Sequence, residues 1–188
     1  MVKKGIRVLG LDDGNLDERV LVVGVIYKIT GRVDGIISFF VKKDGKDSTE
    51  KIIENVRKSR FFKTINVIMT SGISFGGFNV FDIERIWEET GKPVIVVISR
   101  KPNFEKIRKA LEKFEDFEER WEMIMKAGKV NSVRVGNSRI YYQFCGISER
   151  EVKEIILSCC KDAKIPEPIR LAHMIASGIT LGESSRKI

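Results

Sequence analysis

Two adjacent carboxylates, Asp12 and Asp13, stand where the apolar run of residues 6–11 gives way to Gly14. A carboxylate at the end of a buried strand can be held rigidly and still face a cleft. Phosphodiester hydrolysis uses such groups, because clustered carboxylates hold a divalent cation between attacking water and leaving oxygen. The same Asp-Asp-Gly also suits a plain turn. Asp44 and Asp47 share one later loop, where a turn and a helix cap compete with metal ligation. The Gly-rich stretch of residues 71–78, Ser-Gly-Ile-Ser-Phe-Gly-Gly-Phe, follows an apolar run and precedes a helix pattern. Backbone N–H groups in such a loop can approach phosphate, although Gly there also serves close helix–strand packing. It matches neither the P-loop nor the dinucleotide-binding fingerprint. Phe75, Phe78 and Phe81, spaced by three, could stack on bases but as readily belong to a core. Arg170 and His173 lie one helical turn apart and could contact phosphate; a lone His is more often structural.

These groups need elements to hold them. Residues 6–11 read as a strand that stops at Asp12-Asp13-Gly14. Residues 20–29 and 33–41, rich in Val and Ile, read as two more, turning at Gly31-Arg32. Short connections make the three an antiparallel meander. Asp47 or Ser48 caps a helix carrying Ile52, Ile53 and Val56 on one face. Residues 65–69, apolar but for Asn66, and residues 94–98 are apolar runs, as expected of strands buried on both faces. Between them a helix capped by Asn79 or Asp82 passes Trp87 and ends before Gly91. One long helix is expected from Asn103 to Gly128, then a hairpin across Gly136-Asn137. The capping box Ser148–Glu151 opens the next helix, and a last helix follows Pro166-Glu167-Pro168. A meander followed by βαβ units predicts a ribonuclease H-like α/β fold: a mixed sheet flanked by helices, in one domain spanning residues 1–188. The opening strand should be central and place Asp12 near Ser71.

Composition narrows the chemistry. The chain has 188 residues, 43% hydrophobic and 32% charged, enough for a packed core. Lys and Arg number 34 against 26 Asp and Glu, a net +8 that a nucleic-acid binder needs and that a solvated, Lys-rich surface also gives. A single His and no CxxC pattern exclude a zinc site built on several His. No nucleophile elbow supports a Ser-His-Asp triad. Any metal must therefore be held mainly by carboxylates, which points to Mg²⁺ or Mn²⁺. No stretch is long and apolar enough to span a membrane, residues 1–5 lack a signal peptide's apolar run, and three cysteines make no disulfide framework. A cytoplasmic protein is expected.

The chain resembles the archaeal endonuclease dU family and, more distantly, endonuclease V. The resemblance runs over nearly its whole length. It is carried by Gly10-Leu11-Asp12-Asp13-Gly14, residues 44–50, Ser71-Gly72-Ile73-Ser74-Phe75-Gly76-Gly77-Phe78-Asn79-Val80 with Asp82, residues 93–99, and Pro166-Glu167-Pro168-Ile169-Arg170-Leu171-Ala172-His173. It implies a ribonuclease H-like fold and a metal-dependent cut in DNA beside a deaminated base, here deoxyuridine, in DNA repair. By that resemblance Asp12 is the first-strand ligand, and Asp47, or else Asp44, falls near the second acidic position. Ser71 stands where the third acid is normally an Asp, and Cys145 where endonuclease V carries a His. The implied base pocket is Gly72, Phe75, Gly76, Gly77, Phe78 and Asn79. Arg170, other Lys and Arg, and the basic tail at Arg186-Lys187 would grip the backbone. Two other readings remain: a catalytically impaired nucleic-acid-binding protein on the same fold, and a small-molecule or protein-interaction role.

Overall fold

The computed structural model describes residues 5–161 and 164–184. β1 (Arg7–Leu16), β2 (Arg19–Lys28) and β3 (Arg32–Lys42) form the expected antiparallel meander. β1 does not stop at Asp12. It pairs with β2 without interruption from Arg7↔Lys28 to Leu16↔Arg19, and the turn falls at Asp17, whose φ is +53°. Asp12 and Asp13 are thus mid-strand residues, not a turn, because continued ladder pairing outweighs the local turn preference of Asp-Asp-Gly.

Helix α1 (Ser48–Lys58) leads to β4 (Val67–Ser71), then a small hairpin, β5 (Ser74–Phe75) with β6 (Asn79–Val80). Helix α2 (Ile83–Thr90) starts at Asp82, whose carboxylate accepts from the N–H groups of Glu84 and Arg85, and ends at left-handed Gly91. β7 (Val94–Ile98) follows. The long helix expected from Asn103 is two: α3 (Phe104–Leu111) and α4 (Phe117–Lys126). The chain bends between them so that Phe104, Phe114, Phe117 and Trp121 converge with Ile73 and Phe78 on one cluster around Leu111 and Ile124. A straight helix would splay those rings. β8 (Asn131–Val135), β9 (Ser138–Cys145), α5 (Glu149–Cys159) and α6 (Glu167–Leu181) complete the order.

The seven-stranded sheet runs β3-β2-β1-β4-β7-β9-β8. β1 is central and parallel to β4, which is parallel to β7. One sheet face packs on α1 and α2 through Leu9, Leu11, Ile52, Val56, Ile83 and Ile86. The other packs on α5 and α6 through Val8, Met69, Ile95, Ile156, Ile169 and Ala172. This mixed sheet with helices on both faces is the ribonuclease H-like α/β architecture expected. No helix among the described residues is long and apolar enough to cross a membrane.

Candidate active site

Strand geometry sends alternate residues of β1 to opposite faces. Gly10, Asp12 and Gly14 therefore share the face covered by α6. The two glycines let that helix approach closely: a Cβ at Gly10 would meet the backbone of Pro168, and one at Gly14 would meet Thr180 and the Ala176 carbonyl. Between those contacts α6 brings His173 over Asp12. Nδ1 of His173 lies 2.9 Å from Oδ2 of Asp12, the imidazole donating to the carboxylate. The backbone N–H of Asp13 donates to the other Asp12 oxygen, at 2.9 Å. Asp12 is only 6% exposed, so its orientation is set by partners, not solvent.

Ser71 ends β4. The parallel register pairs Leu11 with Thr70, so Ser71 falls beside Asp12, on the same face and one strand spacing of about 4.8 Å away. The two open with Asp13, Gly72, Val97, Ser99 and His173 into a cleft of about 410 Å³ at the carboxyl ends of β4 and β7. Gly72 has φ +77°, and no atom lies within 4 Å of where its Cβ would be, so bare backbone forms part of the wall.

Asp13 faces the other side of the sheet and accepts from the N–H of Gly76 at 3.0 Å. Burial is the main cause that pushes its carboxyl up, from 3.8 to about 6; the negative charge of Asp12 adds to this, while the Gly76 bond and His173 oppose it.

The structure does not bring Asp44 and Asp47 into the cleft. Asp44, at φ +51°, accepts from the Phe78 N–H at 2.9 Å. Asp47 accepts from the Lys42 N–H at 3.1 Å and from the Asn79 amide at 2.7 Å, and caps no helix end with its side chain. Both carboxylates clamp the β5–β6 hairpin to the loop after β3. That hairpin takes up most residues of the expected base pocket. Phe75 is fully buried in the core against Phe81, Asn79 is fully buried as a bridge from Asp47 and the Lys42 carbonyl to the Ser48 N–H, and Gly76 packs on Val20. Gly77 lies against Asp44, and Phe78 packs edge-on against Phe114. Of the loop, Ser71 and Gly72 line the cleft. Arg170 is held in a two-pronged pair by Glu167, at 2.7 and 2.9 Å. Arg186-Lys187 and residues 1–4 lie outside the described residues.

Cys145 pairs with Val94 at the start of β7, about 13 Å down the strand from the cleft end. The histidine that reaches Asp12 is His173, which the sequence pattern alone marked as structural. The signal that finds it is the Gly10-x-Asp12-x-Gly14 spacing, which seats a helix directly over the central carboxylate.

The oxygen donors beside Asp12 are hard: its own carboxylate and the hydroxyls of Ser71 and Ser99, while the borderline imidazole of His173 is engaged with Asp12 itself. A carboxylate offers about four lone-pair positions, and two remain on Asp12 beyond the bonds described. That set fits Mg²⁺ or Mn²⁺, which keeps several waters and takes one or two protein carboxylates plus substrate phosphate. It is not an all-protein cage: no group of three or more His, Cys, Asp or Glu with metal-holding placement occurs among the described residues.

A central strand carrying a fixed carboxylate at the carboxyl-end cleft of this sheet defines a ribonuclease H-like protein. Similarity narrows it further: the endonuclease dU family model matches residues 4–180, and the chain belongs to that family. A UPF0215 protein of Methanosarcina mazei is 46% identical, covering 99% of this chain and 96% of its own length. A solved protein of unknown function from Archaeoglobus fulgidus superposes at TM-score 0.85 with 36% identity, covering 93% of this chain and 98% of that one. Endonuclease V of Ciona intestinalis, solved with a 24mer DNA containing an inosine followed by a ribo-adenosine, superposes at 0.62 with 11% identity, covering 94% and 87%.

Proposed function

We propose that this chain is a divalent-cation-dependent endonuclease that cuts DNA beside a deaminated base, deoxyuridine being the lesion that the family's description names. The observation that carries the reading is Asp12, buried on the central strand, held at 2.9 Å by His173 and set beside Ser71 in an open cleft. Asp12 and Ser71 would hold Mg²⁺ or Mn²⁺, which when bound supplies an activated water and neutralises charge on the phosphate. His173 holds the Asp12 carboxylate in one orientation. Asp13 fixes Gly76, and so keeps the hairpin next to the cleft in place. The bare backbone at Gly72 leaves room for a base, which a duplex would have to present unpaired or extruded.

The test is cleavage of a labelled oligonucleotide carrying one deoxyuridine, with Mg²⁺ or Mn²⁺, by wild type and three variants. Asp12→Ala is expected to abolish cutting. His173→Ala should slow it about 10- to 100-fold, the usual effect of losing a partner that orients a ligand. Ser71→Asp should retain or raise it. Cutting that survives Asp12→Ala would sink the proposed site. One observation favours a second reading, a nucleic-acid-binding protein without cleavage: of the two carboxylates at the cleft, Asp13 is engaged by the Gly76 N–H, which leaves Asp12 with Ser71 beside it. A silent wild type that still binds the oligonucleotide tightly, beside an active Ser71→Asp, would establish that reading.

A further inference from the structure

The chain leaving β7 divides its side chains between two cavities. Val97, Ile98 and Ser99 line the Asp12 cleft. Lys101, two residues on, lines a second cavity of about 390 Å³ together with Phe104, Ser132, Arg139 and Tyr141. Two residues span at most about 7 Å, so the cavities adjoin along one edge of the molecule.

Register gives the second cavity its shape. Tyr141 pairs with Ser132 across the β8–β9 hairpin and with Ile98 of β7. Arg139, two residues before it, shares its face, and Nη1 donates to Oγ of Ser132 at 3.1 Å. That bond holds the guanidinium at the cavity that the half-buried Tyr141 also lines. The charge here is one-sided. Residues 127–148 contain Lys129, Arg134 and Arg139 but no Asp or Glu, and residues 91–104 contain Lys92, Arg100 and Lys101 but no Asp or Glu. Several surface cations elsewhere are matched: Lys46 with Asp116, Arg85 with Glu50 and Glu89, Arg170 with Glu167. Among the described residues Arg100, Lys101, Arg134 and Arg139 form no ion pair. Charges that guard the open edge of β8 against other strands would account for Arg134. They would not account for Lys101, which comes from a different element and lines the same cavity as Arg139 and Tyr141.

We propose that this second cavity is a subsite for the nucleotide that flanks the cleavage point, with Lys101 and Arg139 on its phosphates and Tyr141 stacked on its base. Cations along a backbone groove with an aromatic platform are how single strands are held without sequence readout. The proposal rests on the reading that the Asp12 cleft acts on a nucleic-acid strand.

Anisotropy of a labelled single-stranded oligonucleotide carrying one deoxyuridine, measured with the full chain over a series of salt concentrations, tests it. Cutting of the same strand is followed in parallel. Lys101→Ala with Arg139→Ala should weaken binding about tenfold at low salt and lower the salt slope by about 1.4, some 0.7 for each phosphate no longer neutralised. Tyr141→Ala should weaken binding about tenfold and Tyr141→Phe hardly at all, since stacking needs the ring and not the hydroxyl. A charge-matched control, Arg57→Ala with Lys63→Ala near the opposite sheet edge, should leave the slope unchanged. A slope equal to wild type in the Lys101/Arg139 variant, or an equal fall in the control, overturns the subsite whatever the cutting shows. Absence of wild-type binding overturns it too. Pocket-dependent binding without any cutting leaves the subsite standing and removes the nuclease reading alone.

Discussion

Asp12 and Asp13 are chemically identical neighbours that the strand sends to opposite faces. Asp12 meets His173 and Ser71; Asp13 meets the hairpin at Gly76. The folded protein holds a proton on Asp13, near pKa 6, that the unfolded chain releases at about 3.8. The stability linked to that proton is whole below pH 3.8 and is lost as pH rises through about 6. A shift of this size corresponds to roughly 2–3 kcal/mol. Asp13→Asn keeps an acceptor for the Gly76 N–H but removes the charge. It is expected to be the more stable protein at pH 7–8 by about that amount, and to lose this part of the pH dependence between pH 4 and 6. Urea unfolding of both proteins across that range measures it; parallel curves would show that Asp13 is not the group responsible.

At the scale of elements, the contact that decides the site is α6 against β1. It depends on two glycines that leave the helix no side chain to climb over. Gly10→Ala inserts a methyl group into the backbone of Pro168. It should cost about 1–3 kcal/mol, as overpacking does, and should lift His173 from Asp12, so that cutting falls along with stability. Gly178, in the same helix, has nothing within 4 Å of its would-be Cβ. Gly178→Ala should therefore stabilise by up to about 1 kcal/mol through helix propensity. Opposite signs for the two substitutions in urea unfolding check the packing; the same sign would contradict it.

At the scale of the whole molecule, the question is whether the α3–α4 cluster unfolds with the sheet. Arg120, 5% exposed, links them: its guanidinium bonds the carbonyls of Gly45 and Phe78 and the carboxylate of Asp116. A buried guanidinium with three partners is costly to release one bond at a time, so one cooperative transition is expected. The two tryptophans report separately, Trp87 in α2 and Trp121 in α4 against Phe104. In Trp87→Phe, the fluorescence of Trp121 should lose its native signal at the same denaturant midpoint as circular dichroism. An earlier fluorescence midpoint would make the cluster a separate unit.

Much of the scaffold was legible in residue order, because period-two and period-3.6 apolar patterns and end caps are local properties. The meander, the buried strands, the Asp82 cap and the Ser148–Glu151 box needed no partner to be read. So did the centrality of β1 and the placing of Asp12 beside Ser71, which follow from connectivity. The rest was decided in three dimensions. Asp-Asp-Gly carries the same turn preference wherever it occurs, and only pairing with β2 made it strand. Asp44, Asp47, Phe75 and Asn79 have the chemistry of a site, but burial and hydrogen bonds spend them on the hairpin. His173 stands 161 residues from Asp12. No local pattern reports a contact across that distance; it exists because a helix packs where two glycines allow it.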